Sequence, residues 1–303
     1  MRRATLVSGR AARWVALGAL AVAPWATAGC GDVNAALEHL SEARRLSADL
    51  LVQFTKATDA SNRAVMADTD EASVAYAHEA EQAKQVVQRD VDALGPLLRG
   101  LNYADEAKFL QDFAGRFSAY DALDRNILDL AVENTNLKAQ RLSFGPAQDA
   151  ADAFRDALDA IPSSVAEKDT WRARALVATA VAAVREIQAL QAPHIAEADD
   201  AAMARLEKRM SASEAAARSA LDTLAAIIPS GSQSKLTAAR TAFAQFMNVN
   251  AEILALSHRN TNVRSLALSL TQKPALVAAC EQSLRALNDA LGRRGFGMSR
   301  FGK

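Results

Sequence analysis

The chain has few aromatic residues, little cysteine and no strand-like patterns. Only 5% of its 303 residues are Phe, Trp or Tyr, and two are cysteine. Long alternating runs of Val, Ile and Thr, which are typical of strands, are missing. Alanine is abundant and 50% of the residues are hydrophobic, which is ample for a core. The composition therefore predicts an all-α fold whose helices pack closely through small and aliphatic side chains.

Motifs for catalysis or metal binding are also missing. The four histidines fall in no HExxH, CxxCH or Glu-x-x-His pattern: His39, His78, His194 and His258. No Gly-rich phosphate loop and no nucleophile elbow is present. His194 is followed by three acids, Glu197, Asp199 and Asp200, which form either a weak metal patch or, the preferred interpretation, an acidic helix start. We predict a protein that is not an enzyme, with no cofactor and no metal.

The chain also lacks net charge, with 35 basic and 35 acidic residues. Four of the arginines lie within residues 1–29, which contain no acid, so 31 basic and 35 acidic residues follow them. No cluster of Lys and Arg with interleaved aromatics is present in that remainder. We therefore predict that nucleic acid is not a partner.

The amino terminus has the three regions of an export signal. A basic region, Arg2–Arg13, precedes an apolar run, Trp14–Trp25, and small residues follow up to Gly29. The apolar run is too short for a helix that spans a membrane. We predict that residues 1–29 are a signal peptide and that the protein is exported to the periplasmic side of a bacterial membrane.

Two cleavage sites compete at the end of this segment. The Ala-Thr-Ala sequence 26–28 fits an ordinary signal peptidase and would give a soluble periplasmic protein. The Ala-Gly-Cys sequence 28–30 resembles a bacterial lipobox, although Thr27 replaces the usual Leu, and predicts lipid attachment at Cys30. We prefer the lipid anchor because it explains the position of Cys30. Cys280 is then left without a disulfide partner and is predicted to be a small buried hydrophobe.

A polar triplet, Asn-Thr-Asn, occurs twice, at residues 134–136 and 260–262. When residues 127–143 are aligned with residues 253–269 at this offset of 126, eight of 17 positions are identical. A repeat of this length is longer than the units of solenoid proteins, which span about 20–50 residues. The sequence predicts an internal duplication that gives two antiparallel four-helix-bundle modules.

Apolar periodicity and Gly/Pro positions divide the chain into long helices. In the first half we expect helices over residues 32–67, 70–94 and 104–143, with a loop at Gly95 and Pro96. In the second half we expect helices over residues 195–228, 233–270 and 274–291, after a helix that resumes at Val165. The predicted domains are module 1 (residues 30–162), module 2 (residues 163–291) and a flexible Gly- and Arg-rich tail (residues 292–303).

The repeated helix places Asn134 and Asn260 in its apolar stripe, with Thr135, Asn136 and their counterparts beside it. A buried Asn needs hydrogen-bond partners, and without them it costs roughly 1–3 kcal/mol. The structural interpretation, which we prefer, is that the two asparagines fix helix register. The alternative is that they point into a cavity for a small polar ligand, with Lys138 and Arg264 at its edge.

The stretches Phe117–Ala147 and Phe243–Leu270 resemble the third helix of the four-helix-bundle sensor domain of methyl-accepting chemotaxis proteins. The resemblance implies a periplasmic bundle that binds small molecules or partner proteins. The chain has no recognisable linker or cytoplasmic signalling coiled coil, so we do not expect it to signal across a membrane by itself. The duplicated arrangement is also similar to helical bimodular sensor domains.

These observations together predict a lipid-anchored sensor or binding protein whose partner is a small polar ligand or a membrane receptor. The alternative is a structural or envelope-interaction lipoprotein without a small-molecule ligand. A homodimer is left open.

Overall fold

The computed structural model describes the backbone of residues 29–294 and the side chains of residues 34–294. This part of the chain consists of ten α-helices and three short 3₁₀ turns, without a strand, which confirms the all-α prediction. Residues 1–28 of the predicted signal peptide lie outside the described residues. Cys30 lies in the first helix, but its side chain is also outside the described part.

In chain order the helices are α1 (Gly29–Val65), α2 (Asp70–Gly100), α3 (Ala104–Glu133), α4 (Thr135–Phe144), α5 (Pro146–Asp159), α6 (Thr170–Ala196), α7 (Asp200–Ala225), α8 (Gln233–Arg259), α9 (Thr261–Thr271) and α10 (Lys273–Arg294). The 3₁₀ turns are Pro162–Ser164, Glu167–Asp169 and Ser230–Ser232. Each half contains three long helices, then a short helix (α4 or α9) and a final helix (α5 or α10). That the two halves arose by duplication stays a prediction from the sequence.

The first bundle consists of α1, α2, α3 and α10. Its centre is an aromatic cluster in which the ring of Phe54 meets Phe113 and Tyr120 edge-on, at centroid distances of 6.0 and 5.1 Å. Cys280 is fully buried in the same core, and burial raises the pKa of its thiol to about 12. The prediction of a small buried hydrophobe at this position is confirmed.

The second bundle consists of α5, α6, α7 and α8. Its core is more aliphatic and contains only a few aromatic rings, among them Phe154 and Phe243, whose centroids lie 5.5 Å apart. Small side chains such as Ala180 and Ala217 are fully buried on the facing helices and allow a close approach. The expected core of small and aliphatic residues is found here.

The last helix of each half packs in the bundle formed by the other half. Helix α5 lies within the predicted module 1 but packs against α8, and α10 lies within the predicted module 2 but packs against α3. The ion pairs Glu106–Arg294 and Asp124–Lys273 mark the two ends of the α3–α10 contact, so these helices are antiparallel. The predicted segments 30–162 and 163–291 are therefore units of sequence, whereas each packed bundle draws helices from both.

Several predicted helix boundaries are wrong. The helix expected to end at Leu94 continues through Gly95 and Pro96 to Gly100, because the fully buried Leu94 and Leu98 hold this turn against the first bundle. The long helices expected over residues 104–143 and 233–270 are each interrupted, at Asn134 and at Asn260. The reason for these two breaks lies in the backbone of the asparagines.

The predicted flexible tail begins too early. Residues 292–294 still belong to α10, and Arg294 donates two hydrogen bonds to the carboxylate of Glu106, at 2.7 and 2.9 Å. Arg44 donates to the backbone oxygen of Leu291 at 3.1 Å. These contacts fix the end of α10 on α1 and α3, and residues 295–303 lie outside the described part.

Candidate functional site

The two Asn-Thr-Asn triplets meet at a junction between the bundles, and we use this name for residues 134–136 and 260–262. Asn134 (φ 51°, ψ 39°) and Asn260 (φ 52°, ψ 39°) both have the left-handed backbone conformation. Asparagine adopts this conformation more readily than most residues. It ends α3 and α8 and lets α4 and α9 begin in a new direction, which leaves backbone N–H groups at both new amino termini without partners inside their helices.

Each triplet caps the helix that follows the other triplet. The backbone N–H of Thr135 donates to Oγ1 of Thr261 (3.2 Å), and that of Thr261 donates to Oγ1 of Thr135 (3.1 Å). In the same way the N–H of Asn136 donates to Oδ1 of Asn262, and the N–H of Asn262 to Oδ1 of Asn136, both at 3.1 Å. The offset of 126 residues that relates the triplets in sequence thus also relates their hydrogen-bond partners.

Three of the four side-chain amide nitrogens of the junction donate hydrogen bonds within the protein. Nδ2 of Asn136 donates to Oδ1 of Asn260 (2.8 Å) and to the backbone oxygen of Ile195 (2.6 Å). Nδ2 of Asn262 donates to Oδ1 of Asn134 (2.8 Å), and Nδ2 of Asn260 to the backbone oxygen of Glu197 (2.7 Å). Within the described residues, Nδ2 of Asn134 is buried without a partner. The candidate ligand residues Asn134 and Asn260 therefore belong to a hydrogen-bond network within the chain.

The predicted stripe is wrong beyond Asn134. It placed Thr135 and Asn136 beside the buried face, but both are buried, whereas Arg141 and Phe144, which continue the spacing of three and four along α4, are exposed. A left-handed residue changes the direction of the helix, so the spacing of three and four does not carry across it. The triplet is central because its second and third residues, and not only its first, face the other triplet.

The basic candidates Lys138 and Arg264 lie on the outer surface. Both side chains are exposed, and the amine of Lys138 donates to the backbone oxygen of Glu133 at 2.8 Å. A cation at this position satisfies the free carbonyl groups at the end of α3. Neither side chain lines the cleft that adjoins the junction.

This cleft has a volume of about 240 Å³ and lies between α4, α6 and α9. Polar and apolar side chains line it: Asn136, Leu137, Gln140, Ser143, Phe144, Ala192, Ile195, Ala196, Asn262 and Val263. Ser143 donates to the buried amide of Gln191 at 2.7 Å, so its hydroxyl proton is occupied. Gln140 is exposed, and its side chain is the polar group most accessible to a ligand.

A buried ionic cluster in the first bundle was not anticipated. Asp124, which is fully buried, forms ion pairs with Lys84 and Lys273, both at 3.1 Å, and accepts a hydrogen bond from Ser61 at 2.5 Å. Burial alone would lower the pKa of both lysines. It does so for Lys273, whereas Asp124 and nearby acids such as Glu81 outweigh burial and raise the pKa of Lys84. The sequence feature that could have indicated this cluster is Lys84, which lies in the apolar stripe of α2 between Ala80 and Val87.

Three potential metal ligands, His194, Glu207 and His258, meet beside the junction within the described part of the chain. They come from α6, α7 and α8, and no sequence spacing would have joined them. The acids that follow His194 have a different role. Asp199 caps α7 by accepting the backbone N–H of Ala202 at 2.7 Å, so the acids do begin a helix, but it starts at Asp200 and not at residue 195 as predicted.

Among the described residues, Glu167–Ala196 is one stretch that is long and apolar enough to cross a membrane by length and composition. Of its apolar window 39% is buried, and Val184 and Ile187 belong to the core of the second bundle. No model of a known family, no curated protein and no solved structure matches the chain. The resemblance to chemoreceptor sensor domains therefore stays a prediction.

Proposed function

We propose that the chain is a non-enzymatic, exported binding protein, similar to the ligand-sensing half of chemoreceptors and held at a membrane by a lipid on Cys30. It would bind a small molecule or a membrane signalling partner. The resemblance of residues 117–147 and 243–270 to the third helix of the sensor bundle supports this proposal. The structural support is the position of the cleft beside the junction.

The cleft is the observation that carries the proposal, because its walls belong to the helices that connect the bundles. Helix α4 joins α3 of the first bundle to α5 of the second, and α9 joins α8 to α10 in the opposite sense. A molecule in the cleft contacts α4, α9 and the end of α6 together. Its binding would fix the two bundles relative to each other, which is a simple way to convert ligand occupancy into a change of shape.

The lining indicates the class of ligand. Among the described residues, no charged side chain lines the cleft, and its apolar lining includes Leu137, Phe144, Ile195 and Val263. At about 240 Å³ the cleft is smaller than pockets for drug-sized molecules, which typically measure about 300–1,000 Å³. We therefore propose a small, uncharged, amphipathic molecule that hydrogen-bonds to Gln140, rather than an acid bound by Lys138 and Arg264.

The test is a thermal-shift screen of the purified protein against uncharged amphipathic compounds, amino acids and organic acids. At a ligand concentration 100 times Kd, binding stabilises the fold by about 2.7 kcal/mol, which corresponds to roughly 5 °C in Tm for a chain of this size. We expect hits among the uncharged compounds. Gln140→Trp fills the cleft from an exposed position and should abolish the shift.

The matched control is Lys138→Trp, which places the same ring on an exposed position of α4 outside the cleft. It should leave the shift unchanged. A shift that persists in Gln140→Trp places the ligand elsewhere and contradicts the proposed site. A screen without hits in all three classes favours the alternative function.

That alternative is a structural or envelope-interaction protein, and a different observation favours it. Phe144 and Leu270, which occupy equivalent positions at the ends of α4 and α9, are 72% and 68% exposed. Exposed apolar side chains beside a rigid junction are suited to contact with another protein. In this case the triplets serve only to hold the bundles, and Phe144→Ser should weaken binding to the envelope partner without changing Tm.

A further inference from the structure

The three side chains His194, Glu207 and His258 converge on a single oxygen atom. Nε2 of His194 lies 2.9 Å from Oε1 of Glu207, and Nε2 of His258 lies 2.7 Å from the same oxygen. The ligand atoms of all three lie within 4.8 Å of one another, and the two imidazole rings meet edge-on at 5.4 Å. None of the three side chains lines the cleft, so the cluster is separate from the site proposed above.

The imidazole of His194 is oriented by a hydrogen bond at Nδ1, the ring nitrogen that does not face Glu207. Its side chain is fully buried, and Oγ of Ser257 donates to the backbone oxygen of His194 at 2.8 Å. The hydroxyl oxygen then accepts the N–H of Nδ1 of His194, 2.9 Å away. This arrangement leaves the lone pair of Nε2 directed at Glu207. Histidines that bind metals usually donate their other N–H to a fixed acceptor in this way.

The pair Nε2 of His194 and Oε1 of Glu207 therefore consists of two acceptors at hydrogen-bond distance, and a cation has to lie on or between them. A glutamate binds a metal ion through its carboxylate form. The cation is either a proton or a metal ion.

We propose that His194, Glu207 and His258 form a binding site for a divalent cation of the zinc class. Two imidazoles and one carboxylate are a recurrent ligand set for zinc, with a fourth position left for water. Glu207 and His258 are 33% and 47% exposed, so this fourth position faces solvent. Magnesium and calcium prefer ligand sets made of oxygen, and two nitrogens out of three ligands disfavour them.

The distances allow the ion to enter with small movements. Bonds of about 2.0–2.1 Å in a tetrahedral site place the ligand atoms about 3.3 Å apart. The observed separations of 2.9 and 2.7 Å must therefore widen by about half an ångström. His194 is fixed, whereas the partly exposed Glu207 and His258 are free to make this adjustment.

A bound ion would join α6, α7 and α8 next to the junction. His194 lies just before Ile195 and Glu197, whose backbone oxygens accept hydrogen bonds from Asn136 and Asn260. Fixing His194 therefore also fixes the segment that the junction uses as its acceptor. Metal binding should raise Tm and slow amide exchange at residues 194–197.

The experiment uses the purified protein without a histidine tag, freed of metal with EDTA and titrated with Zn²⁺ by calorimetry. We expect one saturable equivalent per chain, and a Tm that rises with Zn²⁺ but not with Mg²⁺. Substitution of Zn²⁺ by Co²⁺ should give the visible absorption of a tetrahedral ion. Glu207→Gln and His258→Gln should each lower the affinity at least tenfold.

The matched control is His78→Gln, which removes an exposed histidine from α2 in the first bundle and should leave the affinity unchanged. His258 is itself half exposed, so its variant should keep the fold, as circular dichroism will show. Absence of saturable Zn²⁺ binding in the wild type overturns the proposal and identifies the cluster as a proton-bridged contact. An equal loss of affinity in His78→Gln also overturns it.

Discussion

The two bundles have similar helices but different polar centres. In the first bundle the centre is ionic, with Asp124 between Lys84 and Lys273. Asn250 lies 126 residues after Asp124 and occupies the matching place in the second bundle, where its Oδ1 accepts from Nε2 of Gln191 at 2.9 Å. The second centre is therefore neutral. One helical framework therefore accommodates either charges or amides at this position.

The difference also concerns which helices each centre connects. Lys273 comes from the exchanged helix α10, so the ion pair with Asp124 holds α10 on α3. In the second bundle the residue 126 positions before Lys273 is Ala147, on the exchanged helix α5, and it carries no polar group. Gln191 instead accepts from Ser143, at the end of α4. The first bundle thus holds its exchanged helix with a buried ion pair, whereas the ion pair between α5 and α6 in the second bundle, Asp152 with Arg185, is partly exposed.

The largest effect that should separate the bundles is that of Asp124→Leu. It leaves the ammonium of Lys273 buried without a counter-charge, and removal of one partner from a buried ion pair costs roughly 3–5 kcal/mol. Urea unfolding measures this change. Adding Lys273→Met should recover most of the stability, because both charges are then replaced by apolar groups. A double variant as unstable as the single one would show that charge is not what the cluster contributes.

Asn250→Leu should have a smaller effect at the matching place. It leaves the amide of Gln191 without its acceptor, at a cost of roughly 1–3 kcal/mol for an unsatisfied neutral group. The same urea unfolding experiment measures it beside Asp124→Leu. If Asn250→Leu were the more damaging of the two, the distinction between an ionic and a neutral centre would be wrong.

Glu106→Gln tests the other end of the α3–α10 contact and should have the smallest effect. Hydrogen bonds from Arg294 outweigh burial and lower the pKa of Glu106 in the folded protein. Its contribution is therefore present above the ordinary glutamate pKa near 4.5 and is lost as the pH falls below it. At pH 7 the variant should lose about 1 kcal/mol or less, since Arg294 is partly exposed.

The measurement is urea unfolding of wild type and variant at pH 7 and at pH 3.5. The two proteins should differ at pH 7 and converge at the lower pH. Asp222→Asn, which removes an exposed ion pair with Arg240 in the second bundle, is the control and should show no pH-dependent difference. If the difference in unfolding free energy between wild type and Glu106→Gln grew at pH 3.5, the lowered pKa of Glu106 would be contradicted.

Composition and periodicity predicted the helical class, the buried Cys280 and the acidic start of α7, because these depend on local pattern. They did not predict the breaks at Asn134 and Asn260, since one left-handed residue leaves the apolar spacing on either side intact. Asparagine inside an apolar stripe was a signal for such a conformation. The stripe was continued across it, and Thr135 and Asn136 were consequently placed outside the contact.

Contacts between residues that are far apart in the chain could not be predicted from the sequence. Ser61, Asp124 and Lys273 meet only because α10 crosses to the first bundle, and His194, Glu207 and His258 meet only because three helices pack side by side. Such contacts depend on which helices are neighbours, and the apolar period of a helix does not specify its neighbour. The triplets were found by repetition, and their mutual contact was not foreseen.

The two triplets contact each other across 126 residues and thereby hold the bundles together. A double-mutant cycle with Thr135→Val and Thr261→Val, followed by urea unfolding, tests this contact because the two hydroxyls lie 3.2 Å apart. We expect a coupling energy of about 0.5–1 kcal/mol. The control cycle of Thr135→Val with Thr241→Val, on the exposed face of α8, should be additive. Additive costs for the Thr135 and Thr261 variants would contradict the junction.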